Sequence, residues 1–291
     1  MKILAVSRSP IFSPNSTERD AAIFSAVSEV LRARRWKVCS VSEDELSADL
    51  PAVDAVFSMA RGAVALQVLS QAERAAVTVV NSPSALLRMD RAALTNLFNK
   101  EGVPQPWSTV VQLTDGEAEI PADVVFPIWV KRGDGCAQER ADVVRVGQGG
   151  AENRALDFSA LQDALHTFHL RNVGSVVLSA HASGDLVKFY GVEGTPFFFT
   201  CYPTEGKHFS KFGLERYNGA PGGHPFDASR LKALADRAAR LTGFLVYGGD
   251  AIVSPDGSLV LIDFNDWPSF SPCCDDAARA IADRLESALG K

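Results

Sequence analysis

The chain has 291 residues, 46% of them apolar and 22% charged, with a net charge of −6. That is enough apolar material for a sizeable core spread over two or three lobes, and the lack of a long polar, low-complexity stretch argues against extended disorder. The acidic balance argues against a nucleic-acid partner, and no apolar run reaches the length that spans a bilayer, so neither nucleic acid nor membrane is expected as a partner.

The start, MKILAVSRSPIF, meets Arg and Pro too soon for a signal peptide and predicts a first strand. The helix TERDAAIFSAVSEVLRARR, the strands KVCSVS and AVFSMA, a helix near 62–73 and the strand VTVVNS follow. This alternation predicts a small parallel sheet with helices on both faces. Ligands in such sheets sit at the carboxyl ends of strands, here marked by Ser7, Arg8, Arg61 and Asn81. For each of these, ligand contact and an ordinary polar loop are equal alternatives.

MDRAALTNLFNKEGVP predicts a helix that stops at Gly102, with Pro104 just beyond. The pattern then turns strand-rich through WSTVVQL, FPIWVKR and DVVRVG, followed by a helix over 158–171 and the strands SVVLSA, LVKFYGV and PFFFTCY. GKHFSKFGLERYNGAPGG predicts a loop. A helix over 227–242, the strands GGDAIVS and SLVLIDF, and a closing helix over 274–289 complete the chain.

Five cysteines, at 39, 136, 201, 273 and 274, form no C-x-x-C pair, and their count suits reduced thiols and a cytoplasmic location. Cys273 and Cys274 lack the spacing of zinc ligands. Lys131 ends an apolar strand just before a loop with Gly133 and Gly135, a pattern that holds phosphates by charge while loop amides point inward; the alternative is a surface lysine at a turn. No G-x-x-x-x-G-K-[ST] is present, which excludes a Walker P-loop.

GGDAIVSPDGSLVLIDFND predicts a hairpin turning at SPDG. A period of two puts Asp263 and Asn265 on one face, and the hairpin brings Asp250 beside them. Three oxygen ligands on one sheet face suit Mg²⁺ (or Mn²⁺) that keeps waters and phosphate oxygens; the alternative is a pair of solvent-facing acids on an edge strand. WPSF, just after, either lines an acceptor site through Trp267, Ser269 and Phe270 or is a packed turn.

From about residue 88 onward, MDRAALTNLFNKEGVPQP, PIWVKRGDG, VVLSAHASGDLVKFYGVEG, and GGDAIV with LIDFND resemble the ATP-grasp fold in order and spacing. The resemblance implies a mixed α/β and α+β chain: a Rossmann-like pre-ATP-grasp domain over 1–87, a nucleotide-binding lobe over 88–179, and a C-terminal lobe with the metal site over 180–291. It implies ATP as cofactor. Lys131 would bind the α and β phosphates, Arg91 would lie close to the nucleotide, and the backbone of Leu178, Ser179 and Ala180 would bond the adenine. Lys188 would contact the transferred phosphoryl group, and Asp250, Asp263 and Asn265 would be the magnesium ligands.

Two branches of that family compete. ERYNGAPGG matches the R-x-N-x-x-x-G-G stretch of carboxylate–amine ligases of the RimK-like or glutathione-synthetase-like type, and Arg216 would clamp an acyl phosphate. Asp90–Arg91, the D-x-N form at Asp263 and Asn265, and Pro268 lean toward inositol-trisphosphate kinases, whose polyphosphate substrate needs a basic pocket that Lys207, His208 and Lys211 would have to supply. The ligase is favoured; an ATP-binding module without turnover is the third class. Arg61, His181, Asn218 and Ser269 are candidate contacts for a small-molecule or peptide acceptor. The larger ligases of this kind often form homo-oligomers.

Overall fold

The computed structural model describes residues 1–113, 118–135, 139–203 and 213–290, with only the backbone of Glu215. Lys207, His208 and Lys211 lie outside the described residues, as does Cys136.

Three four-stranded sheets organise the described residues. In the first, β2 (Lys37–Ser42), β1 (Lys2–Ser7), β3 (Ala55–Ser58) and β4 (Thr78–Val80) lie side by side in that order, all parallel. Alternation along β1 explains why its run is apolar throughout: Ile3 and Ala5 face one side, Leu4 and Val6 the other, and all four are buried. Helix α2 (Ala63–Arg74) covers the second side with Ala65, Leu66 and Leu69. Helix α1 (Thr17–Ala33) covers the first with Ile23, Val27 and Leu31, joined there by the last helix of the chain, α7 (Cys274–Ala288), through Ile281 and Leu285. Arg34 ties α7 down further by pairing with Asp283 at 2.5 Å and Glu286 at 2.8 Å.

The second sheet has the order β5 (Ser108–Gln112), β8 (Ser175–Ala180), β6 (Ile128–Arg132), β7 (Val143–Val146), all antiparallel. Helix α5 (Arg154–Leu170) buries Leu161, Leu165 and Phe168 against one face. It starts four residues before the sequence expectation, because a 3₁₀ turn over Ala151–Asn153 feeds it and Asp157 accepts the Gln148 and Gly149 amides at 3.0 and 2.9 Å. The third sheet runs β10 (Phe198–Cys201), β9 (Asp185–Val192), β11 (Val246–Val253), β12 (Leu259–Asp266), again antiparallel. Helices α4 (Arg91–Glu101) and α6 (Ala228–Thr242) close one face, around Phe98, Phe189, Ala235 and Phe264. α4 opens with the Asp90 carboxylate accepting the Ala93 amide at 2.7 Å and ends at Gly102, whose φ of +61° favours glycine. No helix among the described residues is long and apolar enough to cross a membrane.

The first sheet is clamped to the third. Just after β4 and ahead of the short helix α3 (Pro83–Leu86), Asn81 is fully buried; its Oδ1 accepts the Val246 amide at 2.7 Å and its Nδ2 donates to the Val246 carbonyl at 2.8 Å. Of the two alternatives for Asn81, the structure favours this architectural bond. The Val246 carbonyl also accepts from the Trp267 amide, so it keeps a partner if Asn81 is removed, whereas the Val246 amide, which donates to Asn81 Oδ1, is orphaned. Asn81→Ala is expected to cost about 1–3 kcal/mol, the penalty of one buried orphan donor, in urea unfolding. A loss under about 0.5 kcal/mol, the size of an ordinary surface substitution, would refute the clamp.

Candidate functional site

Strand register assembles the site. Across the third sheet, Cys201 faces Lys188, Lys188 faces Asp250, and Asp250 faces Asp263, so one row crosses all four strands. Two steps along β11, Gly248 faces Asn265 and Tyr190. The hairpin of β11 and β12 thus brings Asp250, Asp263 and Asn265 together. β11 begins at Val246, two residues before the expected GGDAIVS, so Asp250 sits well inside the strand. A bulge after Asp250 shifts the register so that Ala251 faces Leu261. Gly248 is required where it stands, since a Cβ there would come within 2.6 Å of Pro268. That close approach lets the 267–270 turn fold back on the sheet.

The charges in the row are paired. Lys188 donates to Asp250 Oδ1 at 2.9 Å, and Asn265 Nδ2 donates to Asp263 Oδ2 at 2.8 Å. Arg91 stands 3.6 Å from Asp263 Oδ1 and donates to the Arg132 carbonyl at 3.2 Å. Lys131, reaching across from β6, donates to the Ile262 carbonyl at 2.9 Å. Burial, helped by neighbouring Arg91, pushes the Lys131 ammonium down to about 8, with Asp263 and Asp250 opposing. Burial acts to raise the Asp263 carboxyl, but Arg91, Lys131, the Asn265 amide and Lys188 together hold it below the usual carboxylate range. Burial pushes the Cys201 thiol up, with Lys188 opposing and Asp250 assisting, so at neutral pH it stays protonated.

Between α4, the second sheet and β12 lies a cleft. Arg91 and Lys131 stand in its wall with Asp263, while Leu94, Phe98, Val177 and Leu261 give it apolar sides. The combination suits a ligand with a flat apolar part and an anionic tail. Two carboxylates and an amide on one face are hard oxygen donors beside that tail, a donor set that fits Mg²⁺ or Mn²⁺. No cluster of three or more His, Cys, Asp or Glu side chains suited to a metal exists among the described residues, so any such ion here relies on Asn265 and on its ligand's oxygens.

Other expected residues fall elsewhere. Of Leu178, Ser179 and Ala180, Ser179 lines the cleft, whereas Leu178 is fully buried in the second core. β8 is paired on both sides, and the Ala180 amide donates to the Trp107 carbonyl at 2.8 Å. Arg61 pairs with buried Asp266, the second acid of the FND stretch, and Arg8 bonds Asp20 and the Trp267 carbonyl. Trp267 and Phe270 are 1% and 0% exposed, which makes WPSF a packed turn; Ser269 bonds Ser271 at 3.0 Å. Asn218 donates to the Ala182 carbonyl at 3.0 Å, fastening its loop to the segment that joins β8 and β9. Asp185, which sequence reasoning passed over, accepts the Gly222 and His224 amides at 2.6 and 2.7 Å and fastens the same loop. Arg216 lies outside the row, its guanidinium 5.3 Å over the Tyr217 ring. His181 accepts the Trp129 indole N–H at Nδ1, 3.2 Å away. Trp129 was findable by period alone, two residues before Lys131 on the same strand face.

No protein-family model matches the sequence, and no curated protein is similar enough in sequence to match it. Solved structures do match in shape. A D-alanine–D-alanine ligase from Bacillus anthracis complexed with ATP is 13% identical, with a TM-score of 0.67, over 99% of this chain and 97% of that one. D-alanyl-alanine synthetase A from Vibrio cholerae O1 is 12% identical, with a TM-score of 0.66, over 100% and 99%. A RimK domain ATP-grasp protein from Sphaerobacter thermophilus is 19% identical, with a TM-score of 0.61, over 97% and 98%.

Proposed function

On the ATP-grasp fold that this chain adopts, we propose a carboxylate–amine (or thiol) ligase that uses Mg-ATP to phosphorylate an acceptor carboxylate, which an amine or thiol then captures from the acyl phosphate. The observation that carries this reading is the row Lys188–Asp250–Asp263 with Asn265 beside it, whose Asp263 lines a cleft that Arg91 and Lys131 supply with positive charge. The likeness to a D-alanine–D-alanine ligase, a D-alanyl-alanine synthetase A and a RimK domain protein supports it.

In this reading Arg91 and Lys131 hold the α and β phosphates, and Lys188 offsets charge on the transferred phosphoryl group. Mg²⁺ (or Mn²⁺), held by Asp250, Asp263 and Asn265, would neutralise the β and γ phosphates. The protein's own contribution is positioning and electrostatic stabilisation, so no nucleophilic side chain is needed. Arg8 and Arg61 of the first sheet are both taken up by internal carboxylates, so the basic pocket that the kinase alternative needs would have to come from other cations.

Phosphate release from Mg-ATP, measured against pooled amino acids and small carboxylates with inositol phosphates in parallel, tests the reading, with Asp263→Ala as the blank. Release that depends on both a carboxylate and an amine or thiol is the expected result. Phosphorylated inositol with ADP and no free phosphate would replace the ligase with the kinase. Binding of ATP without any release would leave a nucleotide-binding module.

A further inference from the structure

The carboxyl ends of the first sheet's strands, where ligands are expected in such sheets, serve a different purpose here. Arg8, just after β1, donates to the Trp267 carbonyl at 3.2 Å. Arg61, in the loop after β3, pairs with Asp266. Asn81, after β4, bonds both the amide and the carbonyl of Val246. The Trp267 amide in turn donates to the Val246 carbonyl at 3.0 Å. Three strand ends of the first sheet therefore converge on one end of the β11–β12 hairpin, directly after Asn265.

This junction is held from both sides. Trp267 packs against Phe57 of β3, ring centroids 6.1 Å apart, in a core that the first and third sheets share. The loop that carries Arg61 is organised by Glu43, a buried carboxylate that accepts the Ser9, Arg61 and Gly62 amides at 2.6, 2.9 and 2.6 Å.

Asp266 stands out at the junction. It is 2% exposed, and among the described residues neither of its carboxylate oxygens has a hydrogen-bond partner. Its counter-charge is the Arg61 guanidinium. Apolar side chains of similar volume would hold such a contact at equal or better stability, because a buried ion pair has to overcome its own desolvation. Stability alone therefore gives no account of the pair. What a charge pair adds is a fixed placement that the surrounding apolar side chains cannot imitate. Asn265, the residue before Asp266, donates through Nδ2 to Asp263 at 2.8 Å, which leaves its Oδ1 as the oxygen for an ion. Where that oxygen stands depends on where the end of β12 is held.

We propose that Arg61 and Asp266 are positioning residues of the metal site: the pair ties the end of β12 to the first sheet and so holds Asn265 where it completes the donor set with Asp250 and Asp263. The first sheet thereby acts on the metal site through β12. This role rests on the metal reading of that face, whatever the acceptor.

The readout is the gain in affinity for a non-hydrolysable ATP analogue when saturating Mg²⁺ replaces a chelator, measured by calorimetry on the full chain well below its melting temperature. Wild type should show a gain, and Asn265→Ala should lose most of it. The double substitution Arg61→Met, Asp266→Leu should reduce the gain by about tenfold or abolish it, the scale on which outer partners of a metal site act, while binding the analogue in chelator as wild type does. Its urea midpoint should lie above that of Arg61→Met alone, which leaves Asp266 buried and unpaired. A purely structural pair would show the urea result and an unchanged gain. Asp266→Asn, nearly isosteric, should reduce the gain in the same way and serves if the double variant fails to fold. Arg61→Lys, which keeps the charge, should retain the gain.

A gain that Asn265→Ala loses but that Asp266→Asn and the folded double variant keep in full would overturn the positioning role and leave the metal reading intact. A double variant that folds yet is less stable than Arg61→Met would show the two residues to be uncoupled and would overturn it as well. No gain in wild type, or a full gain in Asn265→Ala, would overturn the metal reading of this face and the positioning role with it.

Discussion

On the proposed function, Asp263→Asn is expected to lower Mg-ATP turnover by about two to three orders of magnitude, the scale seen when one preorganised electrostatic group is removed from an active site. The substitution is nearly isosteric, so the hairpin of β11 and β12 persists. What changes is the charge that faces Asp250 and stands 3.6 Å from Arg91. Arg91 and Lys131 then crowd one another without their shared counter-charge, so the variant should also melt earlier at neutral pH. The folded carboxyl titrates below its free value of 3.8. Its stabilising contribution is therefore fully present above about that pH and is lost as pH falls through the folded value. The difference in melting temperature between wild type and variant should thus shrink in acid. Turnover within threefold of wild type, at saturating Mg²⁺, would remove Asp263 from the site.

Lys131→Met should separate stability from binding. Burial with Arg91 beside it lowers the Lys131 ammonium from 10.5 to about 8, so in the empty protein this side chain is destabilising. Below pH 8 both folded and unfolded chains hold the proton, and the full penalty is present. Between about 8 and 10.5 the unfolded chain binds more protons than the folded one, so stability rises with pH across that window. Met removes the charge while keeping most of the volume. The variant is therefore expected to melt above wild type at pH 7, to lose that advantage by pH 10, and to bind nucleotide at least tenfold more weakly for want of one phosphate contact. Wild type should also take up a proton on binding nucleotide near pH 8, because phosphate oxygens restore the charged amine. Calorimetry in two buffers of different ionisation enthalpy reads that uptake directly. Equal heats in the two buffers, or a Met variant less stable than wild type at pH 7, would show that Lys131 does not stand under strain in the cleft.

Much of this was legible in the order of residues. Alternating strands and helices at the start, period two in LIDFND, and SPDG at the turn each report a local rule, and local rules survive folding. That is why Asp250, Asp263 and Asn265 could be grouped before any geometry was known. Leu178 shows where such reasoning stops. The sequence names the segment 178–180 but not the partners of its backbone, and the fold sets β8 between β5 and β6. Arg216 shows the same limit for a loop: R-x-N-x-x-x-G-G names the residues, while Asn218 and Asp185 decide where the loop is fastened, and they turn Arg216 onto Tyr217.

Asn81, Arg61 and Asp266 mark a second limit. Each is polar and stands next to an apolar strand, which in sequence reads equally well as a ligand contact or as a bond between distant parts of the chain. The partner decides, and Val246 lies 165 positions from Asn81. By itself the sequence determined the elements, the parallel first sheet and the acids on one strand face, because propensity, periodicity and turn chemistry act over a few residues. Only the tertiary structure decided which charges pair internally, which strand lies beside Lys188, and that three strand ends of the first sheet gather at Val246, Asp266 and Trp267. Pairing partners come from remote segments, and the free energy of a buried charge depends on whichever group the fold brings against it.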